Sequence, residues 1–197
     1  AHMFAAPTMV KRMTLAAKSL SQTPSGLRTV VYGGGPMYVS DIIEAVEVFG
    51  DVFVQIYGQG ECPMTISVLS RFDVSDWSYP RWRERLASVG KAQSVLEVQI
   101  GDPMANPLAI GETGEIQVRG QPVMPGYWNK PLADEETLIN GWLMTGDVGV
   151  MDEDGYITLK DRSKDLIISG GNNIYPREVE EVLLSHPDVM EISVVGR

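Results

Sequence analysis

Two short stretches carry residue types that could meet a nucleotide. Tyr57-Gly58-Gln59-Gly60-Glu61 sets an aromatic ring four residues ahead of a carboxylate, with small residues between them. The ring can stack on a purine, worth roughly 1–3 kcal/mol, and the carboxylate can hold Mg²⁺ near phosphates. A strand-edge Tyr57 with a solvated Glu61 is the other reading, and the pentapeptide alone leaves both open. Gly141-Trp142-Leu143-Met144-Thr145-Gly146-Asp147 places an acid after a Thr-Gly turn, where it can accept both hydroxyls of a ribose. Each such charge-assisted bond contributes about 1.5–3 kcal/mol. Asp147 as a turn-forming or capping residue is the alternative. A third stretch, Gly33-Gly34-Gly35-Pro36-Met37, lets backbone approach a flat ligand without Cβ obstruction, or makes a tight structural turn. It is not a phosphate loop of the Gly-x-x-x-x-Gly-Lys-Ser/Thr type, and neither Gly33-x-Gly35 nor Gly58-x-Gly60 is followed by the third glycine of a dinucleotide fingerprint.

The elements that must position these residues follow from periodicity. Met9, Val10, Met13, Ala16, Ala17 and Leu20 recur at helical spacing behind Pro7, predicting a helix from Pro7 to Leu20. Residues 27–32 read as a short buried strand, and Ser40 can cap a helix over 41–49 whose Ile42, Ile43, Val46 and Phe49 share a face. Residues 51–57 are again an apolar strand, so 27–57 form a strand, helix, strand unit of a parallel sheet. From Ser67 the pattern shifts to a charged helix over 79–87 and short strands at 95–100 and 115–119 between Gly and Pro turns, which favours a mainly antiparallel β layer. A short helix at 131–138 precedes strands near 148–151 and 156–160, flanking a hairpin signal that ends in Asp154-Gly155. The charged knot from Asp161 to Asp165 is the candidate domain boundary, followed by a strand (166–169), a helix (176–185) and a strand (191–195).

The expected class is α/β. Part of a parallel βαβ sheet subdomain covers residues 4–66 and a small, mainly antiparallel β subdomain covers 67–162, with a hinge and the start of a small α+β C-terminal domain over 163–197. Ala1-His2-Met3 reads as an expression-vector scar.

With 197 residues and 44% hydrophobic content, the chain has apolar material for a sizeable core and one or two domains. A net charge of −10 argues against nonspecific binding to nucleic acid or anionic membranes, which needs a basic face. Cys62 is the single cysteine, so an internal disulfide and a Cys-rich zinc site are excluded and a reducing cytoplasm fits. No window approaches the roughly 18 apolar residues of a spanning helix.

In order and spacing, Tyr57 to Glu61 (YGQGE), Met124 to Trp128 (MPGYW), Trp142 to Asp147 (WLMTGD) and Tyr156 to Glu180 (YITLKDRSKDLIISGGNNIYPREVE) resemble the adenylate-forming superfamily: acyl-CoA synthetases, nonribosomal-peptide adenylation domains and luciferases. The resemblance runs over nearly the whole chain and is strongest to the acyl-CoA synthetase branch. It implies an enzyme in which a carboxylate attacks ATP, pyrophosphate leaves, and the thiol of coenzyme A captures the acyl-adenylate. By the same resemblance Gly33, Gly34, Gly35, Tyr57, Gly58, Gly60, Asp147 and Arg162 contact the nucleotide, and Glu61 contacts Mg²⁺. Gly35, Met37 and Met64 border the acyl pocket, Gly170 and Gly171 the coenzyme A tunnel, and Lys164 is the pivot of the small domain. For Arg162 a surface salt bridge, and for Lys164 a plain solvated charge, are the alternatives.

Two departures stand out. Gly60 occupies the position where the family usually has a threonine that bonds the α-phosphate. The family's Ser/Thr/Gly-rich phosphate loop and its late lysine fall outside the chain, so the resemblance implies a truncated member, inactive in adenylation alone. Such a piece is expected to self-associate through an exposed sheet edge. The competing expectations are an enzyme that loads a carrier protein and a non-catalytic nucleotide-binding or assembly module.

Overall fold

The computed structural model describes residues 1–169, 172–184, 186, 188–189 and 192–196. Two compact units divide the chain: residues 1–97, 120–124 and 154–157 form the first, and 98–119, 125–153 and 158–197 the second.

The first unit is built on a five-stranded sheet in the order β1-β2-β3-β4-β5. Strand β1 (His2–Ala5) is followed by helix α1 (Pro7–Leu20), β2 (Thr29–Tyr32), α2 (Val39–Phe49), β3 (Phe53–Gln59), β4 (Cys62–Leu69), α3 (Arg71–Ser75), α4 (Trp82–Ala87) and β5 (Lys91–Ala92). Strands β1, β2 and β3 are parallel, with Met3 opposite Val30 and Val31 opposite Val54, as the strand, helix, strand pattern predicts. His2 and Met3, read as scar residues, occupy strand positions here. Helix α1 starts at Pro7 and buries Val10, Thr14 and Ala17. Thr14 can be interior because its hydroxyl donates to the Val10 carbonyl at 2.9 Å.

Helix α2 begins at Val39, with Tyr38 at its N-cap, so Ser40 lies inside the helix and caps nothing. It packs on α1, and Lys11–Asp41 and Lys18–Glu44 ion pairs tie the two together. Val30, Tyr32, Ile42, Ala45, Phe53 and Leu69 fill the space between helices and sheet.

Four elements of this unit, β1, β4, α3 and β5, have no counterpart among those expected from the sequence. Strand β4 runs antiparallel to β3, so the sheet is mixed rather than purely parallel. Helix α3 is held by a capping box, in which the Ser70 hydroxyl accepts from the Asp73 N–H and the Asp73 carboxylate accepts from the Ser70 N–H. The charged helix expected over 79–87 is confined to α4, and Arg85 from it is buried, 4.0 Å from Asp73 and 3.8 Å from Asp76.

The second unit carries the antiparallel layer, in the order β10-β9-β7-β6. Its elements are β6 (Leu96–Gly101), β7 (Thr113–Gly120), helix α5 (Pro131–Thr137), β8 (Leu138–Ile139), β9 (Trp142–Met151), β10 (Ile157–Arg162), β11 (Ile167–Ser169), β12 (Asn172–Ile174) and α6 (Pro176–Leu184). Ile116, Val118 and Leu143 are fully buried in the layer. Strands β11 and β12 pair antiparallel as a separate ribbon, so Asn172 and Asn173, which fall between the strand (166–169) and helix (176–185) expected from the sequence, are strand residues. Of the strand expected over 191–195, residues 192–195 have no regular structure and residue 191 lies outside the described residues.

Candidate functional site

In the second unit the Thr-Gly-Asp stretch lies within β9, not in a free turn. The register against β7 explains its shape: Glu115 faces Val148 and Gln117 faces Met144, leaving Thr145, Gly146 and Asp147 opposite Ile116 alone. Three residues against one must bulge, and their backbone polar groups lose ladder partners. Each finds another. The Thr145 hydroxyl donates to the Ile116 carbonyl at 2.7 Å, and the Asp147 N–H donates to that hydroxyl at 3.1 Å. The Gly146 N–H donates to the Glu115 carboxylate at 2.7 Å. The Gly146 carbonyl accepts from the Ser163 N–H at 2.9 Å and from the Ser163 hydroxyl at 3.1 Å. Gly146 itself has φ +70°, a left-handed value that a side chain would strain.

This bulge fixes Asp147, which is buried, while its Oδ1 sits 3.5 Å from Nε of Arg162. Two sequence-predicted residues thus meet, and the ion pair expected as the alternative for Arg162 is present. It does not exclude a ligand contact, because the arginine side chain is 58% exposed. Glu115 and Ser163 are partners that sequence reasoning missed. Beside Asp147, burial pushes the Glu115 carboxyl up from its ordinary value, the Gly146 N–H bond pulls it down, and the Asp147 charge raises it further. Lys164 is exposed in the turn after β10, where the Asp165 N–H donates to the Arg162 carbonyl at 3.0 Å. Gly170 and Gly171 lie outside the described residues.

The first unit holds the other stretches. Tyr57 is half-buried within β3 and pairs with Ser67 of β4. The strand continues to Gln59, and Gly60-Glu61 is the turn into β4, closed by Gln59 opposite Cys62. The pentapeptide is therefore a hairpin, not a loop beyond a parallel strand end. Its irregularity is at Gly58, where residues 63–66 of β4 bulge opposite a single residue and Met64 takes φ +57°. A Cβ on Gly58 would lie 2.3 Å from the Met64 amide nitrogen, so only glycine fits. Nothing lies within 4 Å of a Cβ built on Gly60.

Of the remaining predicted residues, Gly33 is buried while Gly34 and Gly35 are exposed. Met37 packs in the core at 3% exposure, and Met64 is exposed. Glu61 is half-buried, and its carbonyl accepts from the Met124 N–H at 2.8 Å. Among the described residues no group of three or more His, Cys, Asp or Glu side chains could hold a metal ion. Glu61 as a single carboxylate suits an ion that completes its shell with phosphate and water, as Mg²⁺ does. No helix among the described residues is long and apolar enough to cross a membrane.

Residues 1–128 match the family model described as AMP-binding enzyme. The chain belongs to this family. Among curated relatives of this AMP-binding protein, the medium/long-chain-fatty-acid–CoA ligase FadD8 of Mycobacterium tuberculosis is 38% identical over 96% of the chain and 32% of its own length. A feruloyl-CoA synthase of Amycolatopsis is 39% identical over 98% of the chain and 38% of its own length. Among solved structures, the o-succinylbenzoate coenzyme A synthetase of Bacillus subtilis in complex with ATP and magnesium ion superposes with a TM-score of 0.84 at 37% identity, covering 100% of this chain and 39% of that one. The amide bond synthetase McbA of Marinactinospora thermotolerans gives 0.85 at 39% identity, covering 95% and 37%. The chain thus spans about a third to two-fifths of the length of these relatives, and the mixed α/β class expected from its sequence is the fold they share.

Proposed function

We propose that this AMP-binding chain is part of an ATP-dependent acid–thiol ligase that activates a carboxylic acid as its acyl-adenylate and passes the acyl group to coenzyme A. The observation that carries the reading is the wired bulge at Thr145-Gly146-Asp147, which holds a buried carboxylate beside an exposed arginine. That arrangement suits a neutral diol next to a phosphate: Asp147 accepts from the ribose hydroxyls, and Arg162 supplies positive charge in an otherwise acidic chain.

In the first unit Tyr57 offers a ring face to adenine, Gly33, Gly34, Gly35, Gly58 and Gly60 keep backbone free of side chains near the nucleotide, and Glu61 would hold Mg²⁺ against the phosphates. The ion would supply charge neutralisation for the departing pyrophosphate. Gly35, Met37 and Met64 border the acyl group, Gly170 and Gly171 the coenzyme A arm, and Lys164 is the pivot for residues 163–197. In the overall reaction the acid's oxygen bonds to the α-phosphorus as pyrophosphate leaves. The thiol sulfur then bonds to the acyl carbon as AMP leaves, and the thiol loses its proton.

Relatives named for fatty acids, ferulate and succinylbenzoate stand at similar identity, so the test spans all three. The longest product of the gene is assayed for pyrophosphate release across fatty, aromatic and dicarboxylic acids, with coenzyme A, a phosphopantetheinyl carrier or an amine as acceptor. Pyrophosphate release with one acid and thioester formation with coenzyme A are expected. No release with any acid would remove the reading. The likeness to an amide bond synthetase supports a second reading, an amine acceptor, which amide formation without thioester would establish. For the 197-residue chain alone, we further propose no turnover and self-association along the outer edge of β1. Sedimentation at low concentration showing only monomer would remove the latter.

A further inference from the structure

The contacts that Asp147 and its bulge make with Arg162, Glu115 and Ser163 are unequal as anchors. Arg162 lies 3.5 Å away on a side chain that is 58% exposed, and an ion pair open to solvent is a weak anchor. The backbone side is different. Gly146 is gripped through both of its polar groups, its N–H by Glu115 at 2.7 Å and its carbonyl by Ser163 at 2.9 and 3.1 Å. The Glu115 bond is charge-assisted, the stronger class of hydrogen bond, and it crosses from β7 to the one residue of the bulge with a left-handed φ. The Gly146 N–H lies in the Thr145–Gly146 peptide and its carbonyl in the Gly146–Asp147 peptide, so Glu115 and Ser163 pin the two peptide planes on either side of Gly146 and thereby the direction in which the chain enters Asp147.

We propose that Glu115 is a positioning residue for the nucleotide site, holding the Gly146 N–H so that the Asp147 carboxylate faces a ribose diol. This rests on the reading of Asp147 as the ribose acceptor. A site that recognises a diol must be held to about half an ångström, and the tolerance falls on the element that cannot drift, here the strand β7 backbone that carries Glu115. Glu115 is also half-buried beside a second carboxylate, both of which disfavour its charged form, and the Gly146 N–H bond acts against them.

The test compares the 197-residue chain with Glu115→Ala, Glu115→Gln and Asp147→Asn, titrated with AMP and with 2′,3′-dideoxy-AMP, while amide exchange at Gly146 is followed by NMR. The wild type is expected to prefer AMP. Glu115→Ala is expected to lose about 10-fold in AMP affinity with dideoxy-AMP unchanged, and to speed Gly146 exchange by at least about 10-fold. Glu115→Gln, whose side-chain carbonyl can still accept the N–H, restores both. Unchanged AMP preference and exchange in Glu115→Ala, or a Glu115→Gln variant as impaired as Glu115→Ala, overturns the proposal. If Glu115→Ala does not fold, Glu115→Asp, one methylene short of the N–H, takes its place with the same expectations. Absence of AMP preference in the wild type, or its survival in Asp147→Asn, would refute the ribose reading instead. Gly146 exchange then still decides whether Glu115 holds the bulge.

Discussion

Replacing Gly58 by alanine tests the hairpin that presents Tyr57 and Glu61. The added Cβ would lie 2.3 Å from the Met64 amide nitrogen, 2.7 Å from Met64 Cα and 2.8 Å from the Cys62 carbonyl oxygen. These are backbone atoms, so no rotamer change relieves the overlap and strand β4 must move. Overpacking costs typically about 1–3 kcal/mol, and a clash against backbone belongs at the upper end. About 3 kcal/mol is more than roughly 100-fold in the unfolding equilibrium and, at about 4–8 °C per kcal/mol for a domain of this size, about 12–24 °C in Tm. Gly60, two residues on, is the internal control. It lacks positive φ and has nothing within 4 Å of a built Cβ, so Gly60→Ala should be neutral or stabilise by about 0.4–1 kcal/mol through the unfolded chain. Urea unfolding followed by the fluorescence of Trp77 and Trp82, which stack at 5.1 Å in the same unit, measures both. Variants within about 0.5 kcal/mol of each other would refute the hairpin geometry.

Gly60→Thr restores the residue usual in the family at a position with room for it, and should raise AMP affinity about 5-fold through one added hydrogen bond, read by calorimetry. Tyr156→Phe removes a 2.8 Å bond to Asp73 and should cost about 1 kcal/mol at neutral pH. Burial pushes the Asp73 carboxyl up, but bonds from Ser70 and Tyr156 and the Arg85 charge outweigh it and hold it below its ordinary value. A lowered carboxyl gives stability that is present above its unfolded pKa of about 3.9 and lost as pH falls through the folded one. The Tyr156→Phe difference should therefore narrow below about pH 4, seen as converging acid-unfolding curves. Arg162→Ala should weaken AMP binding and leave Tm nearly unchanged, since the side chain is mostly exposed.

Local signals were legible where local physics decides. Helix α1 follows from Pro7 and the helical spacing behind it to the last residue, although its buried face includes Thr14 while Met9 and Leu20 are exposed. Strand β4 was hidden because Pro63 and the left-handed Met64 break its alternation, so the sequence pattern changes at Ser67, in mid-strand. Asp147 was readable as an acid after Thr-Gly. Its bulge was not, because it arises from a register between residues about thirty positions apart. For the same reason Glu115 looked like the start of an ordinary strand; only pairing with β9 brings it to Gly146.

The central claim is that the bulge in β9 makes Asp147 a ribose acceptor. Calorimetric titration of AMP into the wild-type chain and the Asp147→Asn variant tests it most directly. Binding by the wild type that weakens about 10-fold or more in the variant is predicted; equal affinity in the two would contradict it.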